Sequence, residues 1–510
     1  MDVSVRTADI ITILLYLLGL MGVGIYFSKR NKTTEDYFLG SRSFSGWVLG
    51  LSMLGTIVSS ATFLALPAAA YILDWRQLTI SLAVPFVTVL AVLIFIPFFR
   101  RGKLVSAFEY LGERYGKVPR IYGTVSFIIL QLIRMAQILF LVSLVIQFLT
   151  GAPISIVIIG TGIFIGIYTI LGGFEAVIWT DVVQAIILIV GGILCCVWVV
   201  MDLPGGLEQI FEVGSANNKF SLGEMDFDLG RRTFYTVAIL GVINWLGIYA
   251  GDQNMVQRYA SAKSTREAKK ATIVYSAIAV PMWIMFFFIG TALFVYYQEF
   301  PNTLINSLEA DQILPYFILS EIPPVITGIV ISAVIAAAMS TMDSGINSIS
   351  TVTVIDLMKP WLSKGKSDRF YLKSAHIIAC TVTVLVISGA VVFSIMEKES
   401  MNDISLMVAS IFGGCLMALF MMGFFTKRID GFSATVALGV AVALNIYLGL
   451  GALGVLPDSI TIPIHSYWVG AMVNGTFMIV AYAISMFRKN NFNDLSGLTV
   501  WTMKKINKNE

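Results

Sequence analysis

Long apolar runs separated by short charged loops recur along almost the whole chain. Runs of about 18 or more apolar residues, enough to cross a hydrocarbon layer as a helix, fall at 9–27, 44–73, 78–99, 121–149, 153–171, 178–201, 233–251, 271–298, 323–357, 371–394, 403–425, 431–455 and 465–487. The pattern predicts an all-α integral membrane protein with about 13 transmembrane helices and a basic tail over 488–510.

The loops alternate in basic content. Loop 28–43 carries Lys29, Arg30, Lys32 and Arg42, and loop 100–120 carries Arg100, Arg101, Lys103, Arg114, Lys117 and Arg120. Loop 252–270 carries Arg258, Lys263, Arg266, Lys269 and Lys270, while the intervening loops are poor in Lys and Arg. Basic loops stay cytoplasmic, so the amino terminus is expected outside and the carboxyl terminus in the cytoplasm.

Composition excludes a soluble globule: 57% of residues are hydrophobic and 13% charged, with a mean hydropathy of +0.83. The first run lacks the flanks of a cleavable signal and is expected to remain a span. Cys195, Cys196, Cys380 and Cys415 all fall in apolar spans and form neither a disulfide nor a metal pattern.

Among the charges, Arg134 stands apart, because no other Lys or Arg lies in the middle of a long apolar run. A guanidinium at bilayer depth costs at least ~2.5–3.5 kcal/mol and requires a partner or a watery cavity. An anionic cargo is one solution; a structural or gating pair with Asp181 or Asp343 is the other.

Direction along each span estimates depth. Span 44–73 runs outward through Gly55–Thr62, and span 323–357 runs inward through Ala337–Ser344, so both clusters fall near the level of Arg134. On the inward helix Ala337, Thr341 and the pair Ser340 and Ser344 sit at helical spacing, with Asp343 between them. Hydroxyls, a carboxylate and freed carbonyls form the hard oxygen environment that small cations prefer, and Asp181 is a second intramembrane acid. Back-bonding of the hydroxyls to their own helix and proton carriage by the two acids are the alternatives. Small and polar residues at 55–62 and 244–251 mark two spans for interruption, five apart in order, and half-helix ends suit an anion and a cation.

Several stretches resemble the sodium:solute symporter family. They are Ser106–Gly116, Leu171–Gln184, Asp252–Tyr259 with Ala262–Lys263 and Glu267–Ala268, and Ala337–Ser350 with Thr351–Val352 and Asp356. The resemblance implies the LeuT-type fold: a single transporter domain over 1–510, with an extra span at 9–27, inverted five-helix repeats at 44–201 and 233–425, and two further spans within 431–487. Carried over by position, it implies a first sodium site at the Gly55, Val58 and Ala337 carbonyls and the Ser340 and Thr341 hydroxyls. A second sodium site, present in part of the family, would use Asp181, Asp343 and Ser344; Asp343 departs from the family, which has a hydroxyl residue there. The coupling ion is thus sodium, one or two per cycle.

Within the family the chain is most similar to bacterial sialic acid transporters. The resemblance implies inward symport of a carboxylated sugar such as N-acetylneuraminic acid, with Ser59, Ser60 and Thr62 beside the first helix break and Arg134 on the carboxylate. A guanidinium fork suits a carboxylate on chemical grounds as well. Gln77 and Asn244 are further substrate candidates. Another organic anion, an amino acid such as proline, or a proton-coupled variant are the alternatives.

No catalytic constellation points to an enzyme. His376 and His465 each open a span and form no dyad, and no phosphate-binding loop or nucleic-acid signature is present. The expected setting is a bacterial inner or plasma membrane, as a lipid-embedded monomer with no ATP-binding subunit.

Overall fold

The computed structural model describes residues 6–28, 33–101, 104–395, 413–452, 454–462, 464–488 and 495–502. Lys29, Arg30, Lys32, Lys103, the part of the expected span 403–425 up to 412, and most of the basic tail lie outside the described residues. Among the described residues the regular secondary structure is helical, with one isolated bridge between Phe44 and Ala262.

The helices used below are α1 Thr7–Ser28, α2 Gly46–Ile57, α3 Ser60–Ile72, α4 Leu78–Arg100, α5 Ala107–Tyr115 and α6 Lys117–Thr150. Then come α7 Ile154–Ile170 and α8 Gly172–Asp202, joined at Gly173, whose φ of 61° turns the chain between them. α9 Phe234–Gly251, α10 Gln253–Ser261, α11 Thr265–Glu299 and α12 Ile326–Val352 follow. The last are α13 Asp368–Ile395, α14 Leu416–Phe425, α15 Gly431–Ala452 and α16 Tyr467–Phe487.

Ten described helices are long and apolar enough to cross a membrane, or eleven when the bent pair α2 and α3 is one span. The runs at 153–171 and 403–425 yield only shorter apolar helices, α7 and the described part of the second, α14. Length and composition therefore do not reach the expected 13.

Burial separates centre from edge. In the stretch Ile326–Leu362, α12 and its continuation, the 18-residue apolar window is 89% buried, whereas that of α1 is 11% buried. α12 packs against the continuous stretch α7–α8 above all, and also meets α1, α2, α6 and α13. Its Ala, Ser and Gly residues allow that crowding, since small side chains let helix backbones approach in a membrane.

Two breaks shape the interior. α2 ends at Ile57 and α3 begins at Ser60, with a bend of 60°. α9 and α10 part at Asp252, whose extended backbone and side chain cap α10 through the Asn254 N–H at 2.8 Å. The sequence places this second break at 244–251; the structure moves it one residue beyond, because Asp252 supplies the cap while α9 runs unbroken through Asn244.

Candidate ion and substrate site

At the α2–α12 contact the two small-residue clusters meet. A Cβ added to Gly55 would lie 2.5 Å from Ser340 Oγ, so only glycine lets the helices touch there. The Thr341 hydroxyl reaches the Thr56 carbonyl at 3.2 Å and the Ala337 carbonyl at 3.1 Å.

A helix end frees its last carbonyls. At the end of α2, Leu54 accepts the Val58 N–H, Thr56 accepts from Thr341, and Ile57 accepts from Arg134 at 3.5 Å. The Gly55 and Val58 carbonyls receive no donor among the described residues. They are the two backbone ligands expected for the first sodium site, and Ala337, Ser340 and Thr341 stand across the same contact.

Beside the break lies a cavity of about 590 Å³. Arg134, Ser59, Asn244 and Asp252 line it, together with Gln131 and Tyr467 of α16. Arg134 is half-buried and has no carboxylate within ion-pair distance among the described residues. The acid whose charge acts on it is Asp252 of the second break. Pairing with Asp181 or Asp343 is therefore corrected: both of those acids are engaged elsewhere.

Three other substrate candidates do not reach the cavity lining. Ser60 is fully buried, with a hydroxyl that finds no partner. The Thr62 hydroxyl turns back to the Ser59 N–H at 3.4 Å and steadies the start of α3. Gln77 sits where α4 begins, outside the lining.

The residues of the second expected sodium site divide into two places. Asp181 is fully buried and accepts hydroxyl donations from Ser340 and Ser52, together with a guanidinium N–H of Arg258 at 2.7 Å. Ser344 joins this group: it accepts from Arg258 at 2.7 Å and lies 2.9 Å from the Thr56 hydroxyl. Asp343 instead faces α7, where Tyr168 and Thr169 donate to its two oxygens. Successive helix residues point about 100° apart, so Asp343 and Ser344 cannot serve one ion from the same face.

Arg258 is the residue the sequence conceals. Its run, Gln253–Ser261, is too polar to read as membrane-buried, yet every residue of α10 is buried. Most of its polar side chains find partners, although the buried Tyr259 hydroxyl has none among the described residues. Gln253 bonds the Ala107 N–H and the Val105 carbonyl, Asn254 accepts from Ser348, and Gln257 donates to the Phe38 carbonyl and to Asn347. Ser52, Asp252 and Gln131 are also missed; Gln131 is 4% exposed, lines the cavity and has an Nε2 without a partner.

The sodium:solute symporter family profile matches residues 37–439. Among curated proteins, the sodium/sialic acid symporter NanT of Aliivibrio fischeri is 29% identical over 96% of this chain and 95% of its own length. The sodium/sialic acid symporter SiaT of Proteus mirabilis is 32% identical over 84% of this chain and 86% of its own. The human sodium/iodide cotransporter is 28% identical over 86% of this chain and 69% of its own. A solved sodium-coupled sialic acid symporter, substrate-bound and outward-open, superposes with a TM-score of 0.86 at 29% identity, over 95% of this chain and 99% of that one. MhsT, solved with L-phenylalanine, has a TM-score of 0.54 at 15% identity over 87% of this chain and 98% of that one, a likeness of fold alone. The fold is LeuT-type, sodium is the coupling ion, and the chain belongs to the sodium:solute symporter family.

Proposed function

We infer that the protein takes up a carboxylated sugar, N-acetylneuraminic acid, driven by inward sodium flow through alternating access. The observation that carries this reading is Arg134: a half-buried guanidinium, free of any carboxylate within ion-pair distance among the described residues, on the wall of a cavity of about 590 Å³. That volume falls within the ~300–1,000 Å³ of small-molecule sites. A carboxylate fits the guanidinium fork, and two relatives carry sialic acid in their names.

Sodium binds at the α2–α12 contact, on the Gly55, Val58 and Ala337 carbonyls and the Ser340 and Thr341 hydroxyls. The free Gly55 and Val58 carbonyls support this assignment. Substrate then enters from the Tyr467 side of the cavity, sets its carboxylate on Arg134 and its hydroxyls near Ser59 and Asn244. Asp252 disfavours a second negative charge beside Arg134. Rocking of the bundle about the two breaks exposes both solutes to the other side, and sodium drives the cycle because it binds the two states unequally.

The basic loops support an orientation with the amino terminus outside and the carboxyl terminus in the cytoplasm. In that frame the cavity faces outward, and α10 closes the inner side. The five-span separation of the breaks supports inverted repeats at 44–201 and 233–425. The protein works as a monomer in the lipid bilayer, without an ATP-binding subunit.

Uptake of radiolabelled N-acetylneuraminic acid into proteoliposomes, with and without an inward sodium gradient at fixed pH, tests this. Accumulation is expected only with the gradient. A folded protein that accumulates nothing would return the substrate to a screen of other carboxylates.

A further inference from the structure

We propose that Arg258 is a built-in cation standing where a second sodium ion would sit, so that one sodium accompanies each substrate monoanion and the sodium site is tied to α10. The proposal rests on the first sodium site inferred above, not on the identity of the substrate.

Charge and hydrogen counting carry it. Arg258 is fully buried, and its bonds radiate to four helices: Nη2 to Asp181 on α8 and Ser344 on α12, Nε to Ser52 on α2 at 2.9 Å, and Nη1 to the Asn254 carbonyl within α10 at 2.9 Å. The Asp181 carboxylate and the Arg258 guanidinium cancel; Asp252, whose charge also reaches Arg258, acts on Arg134 as well, and Asp343 is held by Tyr168 and Thr169. A sodium ion placed on Asp181 would put two cations against one anion at low dielectric, where like charges a few ångströms apart repel strongly.

The oxygens are used as well. Asp181 Oδ1 takes the Ser340 hydrogen, and Oδ2 takes those of Ser52 and Arg258. The Thr56 hydroxyl donates to the Ser52 carbonyl, so the Ser344 hydrogen goes to Thr56 while its oxygen accepts from Arg258. Asp343, the third expected ligand, is held by Tyr168 and Thr169 on the far face of α12.

The same bonds connect sodium to α10. The Ser340 hydroxyl gives its hydrogen to Asp181, which leaves its lone pairs for the contact with Gly55. A cation there polarises the O–H bond and strengthens its donation, because linked hydrogen bonds reinforce one another. Asp181 is thereby held on Arg258, and Arg258 keeps α10 docked. Arg258 acts through Asp181 and Ser340 and is a positioning residue.

The test is the number of radioactive sodium ions bound at saturation per purified full-length protein, without substrate. Wild type should bind one, Arg258→Lys one, and Arg258→Gln two, since a vacated Asp181 gains a sodium. Two ions on wild type, or one on a folded Arg258→Gln, would overturn the proposal. If Arg258→Gln fails to fold, the double variant Asp181→Asn with Arg258→Gln removes both charges and keeps amide donors. It should match the wild-type count, and a loss of one ion relative to wild type would overturn the proposal. A count of zero on wild type would remove the first site and this inference with it. None of these counts uses the substrate, so failed sialic acid uptake leaves them standing.

Discussion

Arg134 and Arg258 are the same residue type in the interior of one bundle, yet their surroundings are opposite. Arg258 has an acid, two hydroxyls and a carbonyl around it and no exposed surface. Arg134 has one long bond to the Ile57 carbonyl and opens on a cavity. A paired charge in an interior is part of the scaffold, since removing either partner strands the other. A charge left without a close partner is tolerated only beside water or a ligand. The neighbours, not the guanidinium, separate framework from binding site.

The comparison breaks most visibly at Arg258. In sodium-free buffer, Arg258→Ala leaves Asp181 as an uncompensated buried charge and should cost about 3–5 kcal/mol, read as a large fall in the thermal melt of the detergent-solubilised protein. Arg134→Ala should leave the melt within about 0.5 kcal/mol of wild type. Equal melts for the two variants would erase the distinction.

Substrate affinity inverts the ranking. Arg134→Ala should weaken N-acetylneuraminic acid binding by at least ~100-fold, as expected from losing two charge-assisted hydrogen bonds of about 1.5–3 kcal/mol each. Arg134→Lys should recover only part of it, because an ammonium lacks the planar fork. Unchanged affinity in the alanine variant refutes the carboxylate role.

A smaller effect is expected at the ion. Ser340→Ala should raise the sodium concentration for half-maximal uptake by ~10-fold, or about 1.4 kcal/mol. No shift would take Ser340 off the ligand set. Least affected is Asp343→Asn: its partners are Tyr168 and Thr169, away from Ser340 and Ser344. Its sodium half-saturation should stay within about 2-fold, a change under ~0.5 kcal/mol, with the charge moved per substrate unaltered. A changed ratio would put Asp343 back in the ion's path.

Much of this site was legible because membrane helices are periodic and apolar. The break beside Val58, the approach of Gly55 to Ser340 and the shared level of Arg134 all follow from small and polar residues inside apolar runs whose direction is known. The helical period also separates Asp343 from Ser344, although grouping them by chain proximity hides this. Ser60 and Thr62 illustrate the same limit. Neighbours of a cavity residue in sequence turn to packing and to the helix cap respectively.

Arg258 was not legible by any window of hydropathy. α10 is polar in composition and buried in fact, because its Gln253, Asn254, Gln257 and Arg258 side chains find partners on α2, α8, α12 and the loop before α5. Transfer scales charge each residue for leaving water, and only the fold supplies the compensating bonds.

The sequence by itself determined a helical membrane protein, the place of the first helix break and an intramembrane cation in need of an anion, since each depends on the cost of placing one segment or one charge in hydrocarbon. Tertiary structure alone decided which acid pairs with which base. Asp181 belongs to Arg258, Asp343 to the hydroxyls of α7, and Arg134 to the cavity, because pairing is a property of distances between helices that are remote in the chain.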